Sequence, residues 1–298
     1  MSMVKQLFKK NRLAILLCGF FIASLLCLNA LAADIVVFGD SQVDEVSQRK
    51  VVQAIASFRP SIVFRVGDNV HDGDDPRQWE LFNDINAPLL KTAEYFPALG
   101  NHEKDSPLYF ANFPFLNHKR WYAVEREGIH FIVLDSNSSL VPGSQQYKWL
   151  ESDLRRVQDR VKFKIALFHH PLFGVGDGHG EDEKRLRPIL LPLFQKYGVS
   201  VVFSGHEHSY QRFAYQGIYF IVTGGGGGRL RDQARASPYL QKFKKAYHFC
   251  LLAPGNDFLR IRVIDVDANI IDDFKVPALV FGGSSGWIYK IIKSGKLR

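Results

Sequence analysis

Cysteine is scarce in this 298-residue sequence, which contains only three, and two of them, Cys18 and Cys27, lie within the first 32 residues. Cys250 is the single cysteine of the remaining chain and stands in the apolar run FCLLA. One cysteine cannot form an intrachain disulfide or supply the paired thiolates of a structural zinc site. Both means of stabilising the fold are therefore excluded, and we expect Cys250 to be a buried core thiol.

The sequence also lacks internal repeats, low-complexity tracts and any linker long enough to separate two domains between residues 34 and 267. The glycine run at 224–228 is not followed by the Lys-Ser/Thr pair of a phosphate-binding loop, so no Walker-type nucleotide site is predicted. We expect this run to be permissive backbone that passes close to a functional site. A single domain over 33–270 is predicted, with no role assigned to a tail at 271–298.

The one long apolar run lies at the N-terminus. Residues 1–32 combine a basic start, an apolar stretch from Leu13 and the small-residue site Ala30-Leu31-Ala32. This pattern predicts a secretory signal peptide cleaved after Ala32, and hence a periplasmic or secreted protein; an uncleaved membrane anchor is the alternative. Cleavage would lower the formal charge from +8 to +4. We therefore predict no specific nucleic-acid partner and no stable membrane insertion of the mature chain.

Short apolar, β-branched runs alternate with amphipathic segments of helical length, which indicates an α/β architecture. Runs that are apolar on both faces imply strands covered on both sides. The predicted strands are 34–40, 62–68, 95–102, 129–135, 164–170, 199–206 and 219–225, with a half-exposed strand at 259–267, and the predicted helices are 45–58, 76–91, 144–160 and 182–197.

Polar residues with metal-ligand chemistry follow five of these strands, at the point where each strand ends. In chain order they are Asp40 and Gln42, Asp68 and His71, Asn101 and His102, His169, and finally His206 and His208. Because ligands bind beyond the carboxyl ends of strands in open α/β sheets, we expect these groups to converge. Oxygen and imidazole donors without thiolate suit iron, manganese or zinc. They are too many for one tetrahedral ion, so two ions that share a carboxylate are indicated.

The motifs GD, GDxxH, GNHE, HxP and GHxH, in this order, resemble those of the calcineurin-like metallophosphoesterases, and most closely the purple acid phosphatases of the tartrate-resistant type. The stretches WYAVEREGIHFIVLDSN, SQQYKWLESDL and GHEHSYQRF are also similar to that branch, and the resemblance extends over about 34–265. It implies a four-layer α/β/β/α sandwich, in which two mixed sheets lie face to face and helices flank them.

The resemblance also implies roles for the strand-end residues. A first metal is expected on Asp40, Asp68, His208 and a side chain at the position of His71, and a second on Asp68, Asn101, His169 and His206. Asp68 would bridge the two ions. His102 is expected to contact the phosphate and help protonate the leaving group, and His179 in GDGHGED matches a second histidine with such an outer role.

One position departs from the family pattern. The purple acid phosphatase branch has tyrosine where this chain has His71, and other branches place histidine or glutamine two residues after the first aspartate, where this chain has Gln42. Either residue, or both, completes the first metal site. We favour His71, because imidazole is the better donor to a transition metal.

The function implied is that of an exported, acid phosphatase-like enzyme with two metal ions, which hydrolyses phosphate monoesters by in-line attack of a metal-bound hydroxide. A phosphodiesterase or nucleotidase with the same metal centre is one alternative. A catalytically silent phosphate-binding module is another, although such modules are expected to have lost ligands.

Overall fold

The computed structural model describes residues 35–42, 44–177, 180–280 and 288–289. The predicted signal peptide at 1–32 and the predicted catalytic residue His179 lie outside the described residues, as does most of the expected tail. Of the helices in the described part of the chain, none has the length and apolarity that crossing a membrane requires.

Strands and helices alternate up to residue 204, as the periodicity predicts, and the described elements after it are all strands. The strands are β1 Ile35–Phe38, β2 Ile62–Arg65, β3 Glu94–Pro97, β4 Tyr122–Arg126, β5 Ile129–Val133, β6 Phe163–Leu167, β7 Val201–Ser204, β8 Tyr210–Tyr215, β9 Ile218–Thr223, β10 Leu240–Lys244, β11 His248–Pro254, β12 Phe258–Asp265, β13 Ile270–Pro277, β14 Leu279–Val280 and β15 Ile288–Tyr289. The helices are α1 Glu45–Ser57, α2 Pro76–Leu90, α3 Pro107–Asn112, α4 Gln145–Arg156 and α5 Gly180–Tyr197, with a 3-10 turn at Pro114–Leu116.

The strands form two mixed sheets. The first has the order β13-β12-β11-β1-β2-β3, in which β1, β2 and β3 are parallel and the remaining pairs antiparallel. The second has the order β10-β8-β9-β7-β6-β5-β4, with parallel pairing from β5 through β6 and β7 to β9. Strands β14 and β15 pair separately. The parallel strands bring their carboxyl ends to a common edge in each sheet.

Aromatic side chains join the two sheets. Phe64 of β2 stacks on Phe96 of β3 and on Phe131 of β5, with 4.3 Å between the ring centroids of Phe64 and Phe131. Because side chains alternate along a strand, the next residue before Phe96, Tyr95, points to the opposite face, where it meets Phe82 of α2. The first sheet therefore has the inter-sheet core on one face and helices on the other.

The second sheet is covered in the same way. Its residues Ile132, Ala166 and Val202 form a second hydrophobic cluster with side chains of α4 and α5, among them Leu150 and Phe194. The expected four-layer α/β/β/α sandwich is thus confirmed. Cys250 is fully buried on β11, as predicted.

The first sheet continues beyond residue 270, where the tail is expected to begin. Strand β13 pairs antiparallel with β12 along its length, and Arg260 forms an ion pair with Asp273 across the two strands. The first seven residues after the expected boundary therefore belong to this edge strand.

Candidate metal centre

The strand-end residues meet at one edge of the molecule. Asp40, Asp68 and Asn101 follow β1, β2 and β3 of the first sheet, and they stand two, three and four residues beyond the strand ends. His169 and His206 follow β6 and β7 of the second sheet by two residues each. The convergence expected from the strand ends is thus the geometry observed for these five side chains.

The backbone at this edge is strained. Asp40, Asp68 and His206 adopt left-handed conformations, with φ of 60°, 52° and 70°. Such a conformation costs on the order of 1–2 kcal/mol for a residue other than glycine. Neighbouring glycines allow the close packing, since a Cβ on Gly100 would collide with the Asp68 carboxylate, and one on Gly205 with that of Asp40. The repeated GD, GN and GH pairs of the sequence thus have a steric reason.

Asp68 is the centre of one group of donors. Its Oδ2 lies 3.3 Å from His169 Nε2, and the ligand atoms of Asp68, His169 and His206 all lie within 4.8 Å of one another. His169 Nε2 also lies 2.9 Å from the side-chain oxygen of Asn101 and 3.1 Å from His206 Nδ1. These four residues are the set expected for the second metal.

Asp68 belongs to a second group of donors with Asp40 and His208, whose ligand atoms also lie within 4.8 Å of one another. Gln42 joins this group, since its amide nitrogen lies 3.0 Å from Asp68 Oδ2 and 3.2 Å from His208 Nε2. Asp40 Oδ2 and Gln42 Oε1 are buried without a hydrogen-bond partner. Buried oxygens normally have partners, and a cation would supply one for Asp40, whereas Gln42 would meet the cation through its oxygen only with the amide flipped. The donor set therefore fits a pair of cations that share Asp68.

Backbone carbonyls orient the imidazole rings. His169 Nδ1 lies 2.9 Å from the carbonyl oxygen of Val66, and His208 Nδ1 lies 2.9 Å from that of Arg229. An Nδ1–H that donates to a carbonyl leaves the Nε2 lone pair directed into the cluster. His206 has the opposite orientation, with Nδ1 towards His169 and Nε2 3.6 Å from the Asp182 carboxylate.

His71 and His102 lie at the rim. His71 is exposed and is in none of the carboxylate–imidazole groups, whereas buried Gln42 contacts Asp68 and His208. The ring of His102 lies beside that of His71, with 5.1 Å between centroids, and its Nδ1 lies 2.7 Å from the His71 carbonyl oxygen. Its Nε2 faces Asp68 Oδ2 at 3.9 Å. His102 is thus placed beside the donors without joining them.

The metal-free cluster has perturbed proton affinities. Burial raises the pKa of Asp40 to about 8. Burial favours neutral His169, but the charges of Asp68 and Asp40 outweigh it and raise the His169 pKa to about 10. Burial lowers the pKa of His208 to about 4, which makes it a neutral donor at pH 7. Cations bound here would replace the protons on Asp40 and His169.

Two buried glutamates that the motifs did not predict support the cluster. Glu103 accepts hydrogen bonds from the backbone nitrogens of Asp68, Asn69 and Gly100, at 3.1, 2.6 and 2.5 Å. Glu207 accepts a hydrogen bond from Gly176 N at 2.7 Å. It thereby connects the loop after β7, which carries His206 and His208, to the segment that precedes His179. Both glutamates stand inside the motifs GNHE and GHEH, where an acidic residue beside a ligand was the available signal.

A family model described as calcineurin-like phosphoesterase matches residues 33–210, more than half of the chain. The chain belongs to the calcineurin-like phosphoesterase family. The resemblance inferred from the motifs is therefore confirmed, and with it membership of a family of metal-dependent phosphoesterases.

The chain is similar to several plant members of the calcineurin-like phosphoesterase family. Purple acid phosphatase 18 of Arabidopsis thaliana is 30% identical over 196 residues, which are 57% of this chain and 45% of the relative. A nucleotide pyrophosphatase/phosphodiesterase of Hordeum vulgare is 28% identical over 264 residues, 72% of this chain and 71% of the relative. The chain spans about half the length of the Arabidopsis purple acid phosphatases that it matches first.

Solved structures share the fold. Purple acid phosphatase PPD1 of yellow lupin matches with a TM-score of 0.72 and 21% identity, over 82% of this chain and 53% of that one. GAP50, described as the anchor in the inner membrane complex of Plasmodium, matches with a TM-score of 0.70 and 18% identity, over 82% of this chain and 88% of that one. The same fold thus occurs in a protein named as a phosphatase and in one named as an anchor.

Proposed function

We propose that the protein is an exported phosphatase that hydrolyses phosphate monoesters with the help of two bound cations. The observation that carries this proposal is Asp68, whose carboxylate belongs to both groups of donors. A shared carboxylate is the usual bridge of a two-metal site in phosphoryl-transfer enzymes. Export is supported by the signal-like composition of residues 1–32.

The donor chemistry assigns one cation to each group. Asp40, Asp68, Gln42 and His208 would hold the first, and Asp68, Asn101, His169 and His206 the second. The mixture of oxygen and imidazole donors suits iron, manganese or zinc. When bound, the cations would neutralise charge on the phosphoryl oxygens and lower the pKa of a bound water.

We propose that Gln42, rather than His71, completes the first site. Gln42 is buried and its amide lies between Asp68 and His208, at 3.0 and 3.2 Å. Amide oxygen and nitrogen are assigned from the hydrogen-bond network, and a flipped amide would present its oxygen to this position. His71 is left at the surface, where its carbonyl orients His102.

His102 is proposed to protonate the leaving oxygen. Its Nδ1 lies 2.7 Å from the His71 carbonyl oxygen, which fixes the ring and directs Nε2 towards the cluster. A protonated imidazole in this position can donate to an oxygen that departs from a phosphoryl group held beside Asp68. His179 is proposed as a second such residue on the sequence pattern alone.

Two other functions have specific support. The Hordeum vulgare relative is named as a phosphodiesterase, which favours diester cleavage as a second candidate. Relatives named as probable inactive purple acid phosphatases are also similar, at 28% identity, and point to a silent binding module. A binding module has no need for a complete donor set, and the full set present here favours catalysis.

Turnover of two chromogenic esters tests the proposal. We expect the metal-loaded protein to hydrolyse p-nitrophenyl phosphate with a higher kcat/KM than bis-p-nitrophenyl phosphate, and elemental analysis to give about two metals per chain. A preference for the diester would assign the phosphodiesterase function instead. Absence of turnover on both esters at full metal content would assign the binding module.

A further inference from the structure

A cleft of about 410 Å³ is lined in part by Asp105, which follows His102 in the chain, and its function is not explained by the metal donors. Its volume is within the range of small-molecule sites, which is about 300–1,000 Å³. The side chains that line it include Asp105, Arg120, Trp121, Ser138, Ser139 and Ser144.

Two connections join the cleft to the candidate metal centre. Asp105, in its wall, stands three residues after His102 in the same loop, between β3 and α3. Asn137, next to the lining residue Ser138, donates its side-chain N–H to the carbonyl oxygen of Gly100 at 3.2 Å, directly before the donor Asn101. The cleft is therefore connected to the centre through the loop that carries Asn101 and His102.

The proposed role of His102 determines where the leaving group of a substrate would lie. A phosphoryl group held beside Asp68 must release its leaving oxygen towards His102, the proposed proton donor, because proton transfer requires the two groups to be in contact. The leaving group then extends past His102 and along its loop. The cleft, whose wall includes Asp105 of that loop, is our candidate for the space that receives the leaving group.

The three charged groups at the cleft, Arg120, Asp105 and Asp135, carry a net charge of −1. Arg120 Nε donates to Asp135 Oδ2 at 2.7 Å, and its Nη1 is paired with Asp105. One guanidinium between two carboxylates leaves no excess of positive charge, so a second phosphate or carboxylate on the substrate would gain little here. A positively charged group would meet the fixed guanidinium. An uncharged ligand needs no counter-charge here, because the guanidinium and the two carboxylates already pair with one another.

The remaining lining combines one flat aromatic face with hydroxyl groups. Trp121 is half-buried and packs against the hydrophobic cluster of the second sheet, which holds its indole in place. Ser138 Oγ donates to Asp135 Oδ2 at 2.5 Å and can still accept, whereas Ser144 Oγ accepts from Tyr147 N at 3.3 Å and can still donate. A purely aliphatic group would cover these polar atoms without replacing their water.

We propose that the cleft binds the leaving group of the substrate and selects an uncharged, polyhydroxylated one, such as the sugar of a hexose phosphate. The apolar face of a sugar ring packs on the Trp121 indole, while its hydroxyl groups bond the serines and the Arg120–Asp105 pair. This inference rests on the proposed phosphatase function and names the substrate class for the same centre.

The test compares two monoesters on the metal-loaded protein. Glucose 6-phosphate carries the proposed leaving group, and ethyl phosphate carries a two-carbon group that has neither a ring nor further hydroxyl groups. We expect Trp121→Ala to lower the ratio of their kcat/KM values about tenfold, chiefly through KM for glucose 6-phosphate. Trp149→Ala is the matched control, because Trp149 is half-buried against the same cluster but does not line the cleft.

A second variant guards against misfolding of the first. Ser139 is exposed, and Ser139→Ala should lower the same ratio about threefold, the loss of one hydrogen bond, with an unchanged melting temperature. An unchanged ratio in both variants, or an equal change in Trp149→Ala, would overturn the cleft assignment.

Failure of the phosphatase proposal gives a different result. If the wild type hydrolyses neither ester, calorimetry with glucose 6-phosphate on the metal-loaded protein decides the question of the cleft. Binding about tenfold weaker in Trp121→Ala than in Trp149→Ala would support it. Equal binding in the two variants, or no binding to the wild type, would overturn it.

Discussion

Asp68 is the residue on which both proposed cation sites depend, and His102 is its neighbour with a different role. Asp68→Ala removes a ligand from both groups of donors, so we expect loss of both metals. His102→Ala removes a proton donor, so we expect full metal content with kcat lowered about 10²–10⁴-fold. Elemental analysis and kinetics with p-nitrophenyl phosphate check both variants.

The control for this pair is His118→Ala, a histidine whose ring lies against Phe110, 5.1 Å between centroids. It should keep both metal and turnover. Equal metal loss in the Asp68 and His102 variants would show that His102 is a ligand, and would contradict the separation of roles.

Gln42 and His71 give the second prediction at the scale of single residues. Gln42→Ala removes a buried amide that lies between Asp68 and His208, so we expect the affinity of the more weakly bound metal to fall about tenfold or more. His71→Ala removes an exposed ring while the carbonyl that orients His102 remains. Its metal affinity should stay within about threefold of the wild type in a competition titration with a chelator.

The opposite order of affinities would restore His71 as the ligand, as expected from donor strength alone.

The motifs identified Asp40, Asp68 and the histidines because strand ends converge in any parallel sheet. They could not decide between Gln42 and His71, because that depends on which side chain each loop turns inward. Left-handed backbone at Asp40 and Asp68 sets this direction, and it leaves no signal in periodicity.

At the scale of single elements, strand β6 contains a buried lysine whose burial could not be predicted from the apolar pattern. Lys164 is fully buried, and its Nζ donates to the carbonyl of Gln158 just after α4, at 3.0 Å. Burial lowers the Lys164 pKa to about 8. Apolar periodicity predicts strand β6 correctly. The aliphatic stem of Lys164 packs like an apolar side chain, and its ammonium group interacts with the carboxyl end of α4.

The pH dependence of stability follows from this lowered pKa. Below pH 8 the folded and unfolded chains both hold the proton, and between pH 8 and the usual lysine pKa only the unfolded chain holds it. Stability therefore rises with pH across this window. We expect the free energy of unfolding of the wild type, relative to Lys164→Met, to rise by about 2 kcal/mol from pH 7 to pH 10 in urea titrations. A flat difference would mean that Lys164 titrates normally in the folded state.

On the scale of the whole molecule, periodicity predicted the α/β class, and the family resemblance implied the two-sheet arrangement. Continuous apolar runs identify the central strands because they are buried on both faces. Strand β13 has no continuous apolar run that would predict it, because its sequence IIDDFKVP carries three charges and it lies at the sheet edge, where only one side pairs. Charged residues of this kind are common on edge strands, where they discourage pairing between molecules.

Metal removal should destabilise the entire fold, because the proposed ligands come from both sheets. Asp40, Asp68 and Asn101 follow strands of the first sheet, whereas His169, His206 and His208 belong to the second. A ligand that binds only the folded state adds about 2.7 kcal/mol at 100 times its dissociation constant. For a chain of this size each kcal/mol corresponds to about 2–4 °C, so a chelator should lower the melting temperature by about 5–10 °C. Asp68→Ala should melt at the same temperature with and without chelator. A chelator-insensitive wild type would show that the sheets are held together by their aromatic core alone, and that cations bind without joining the two sheets.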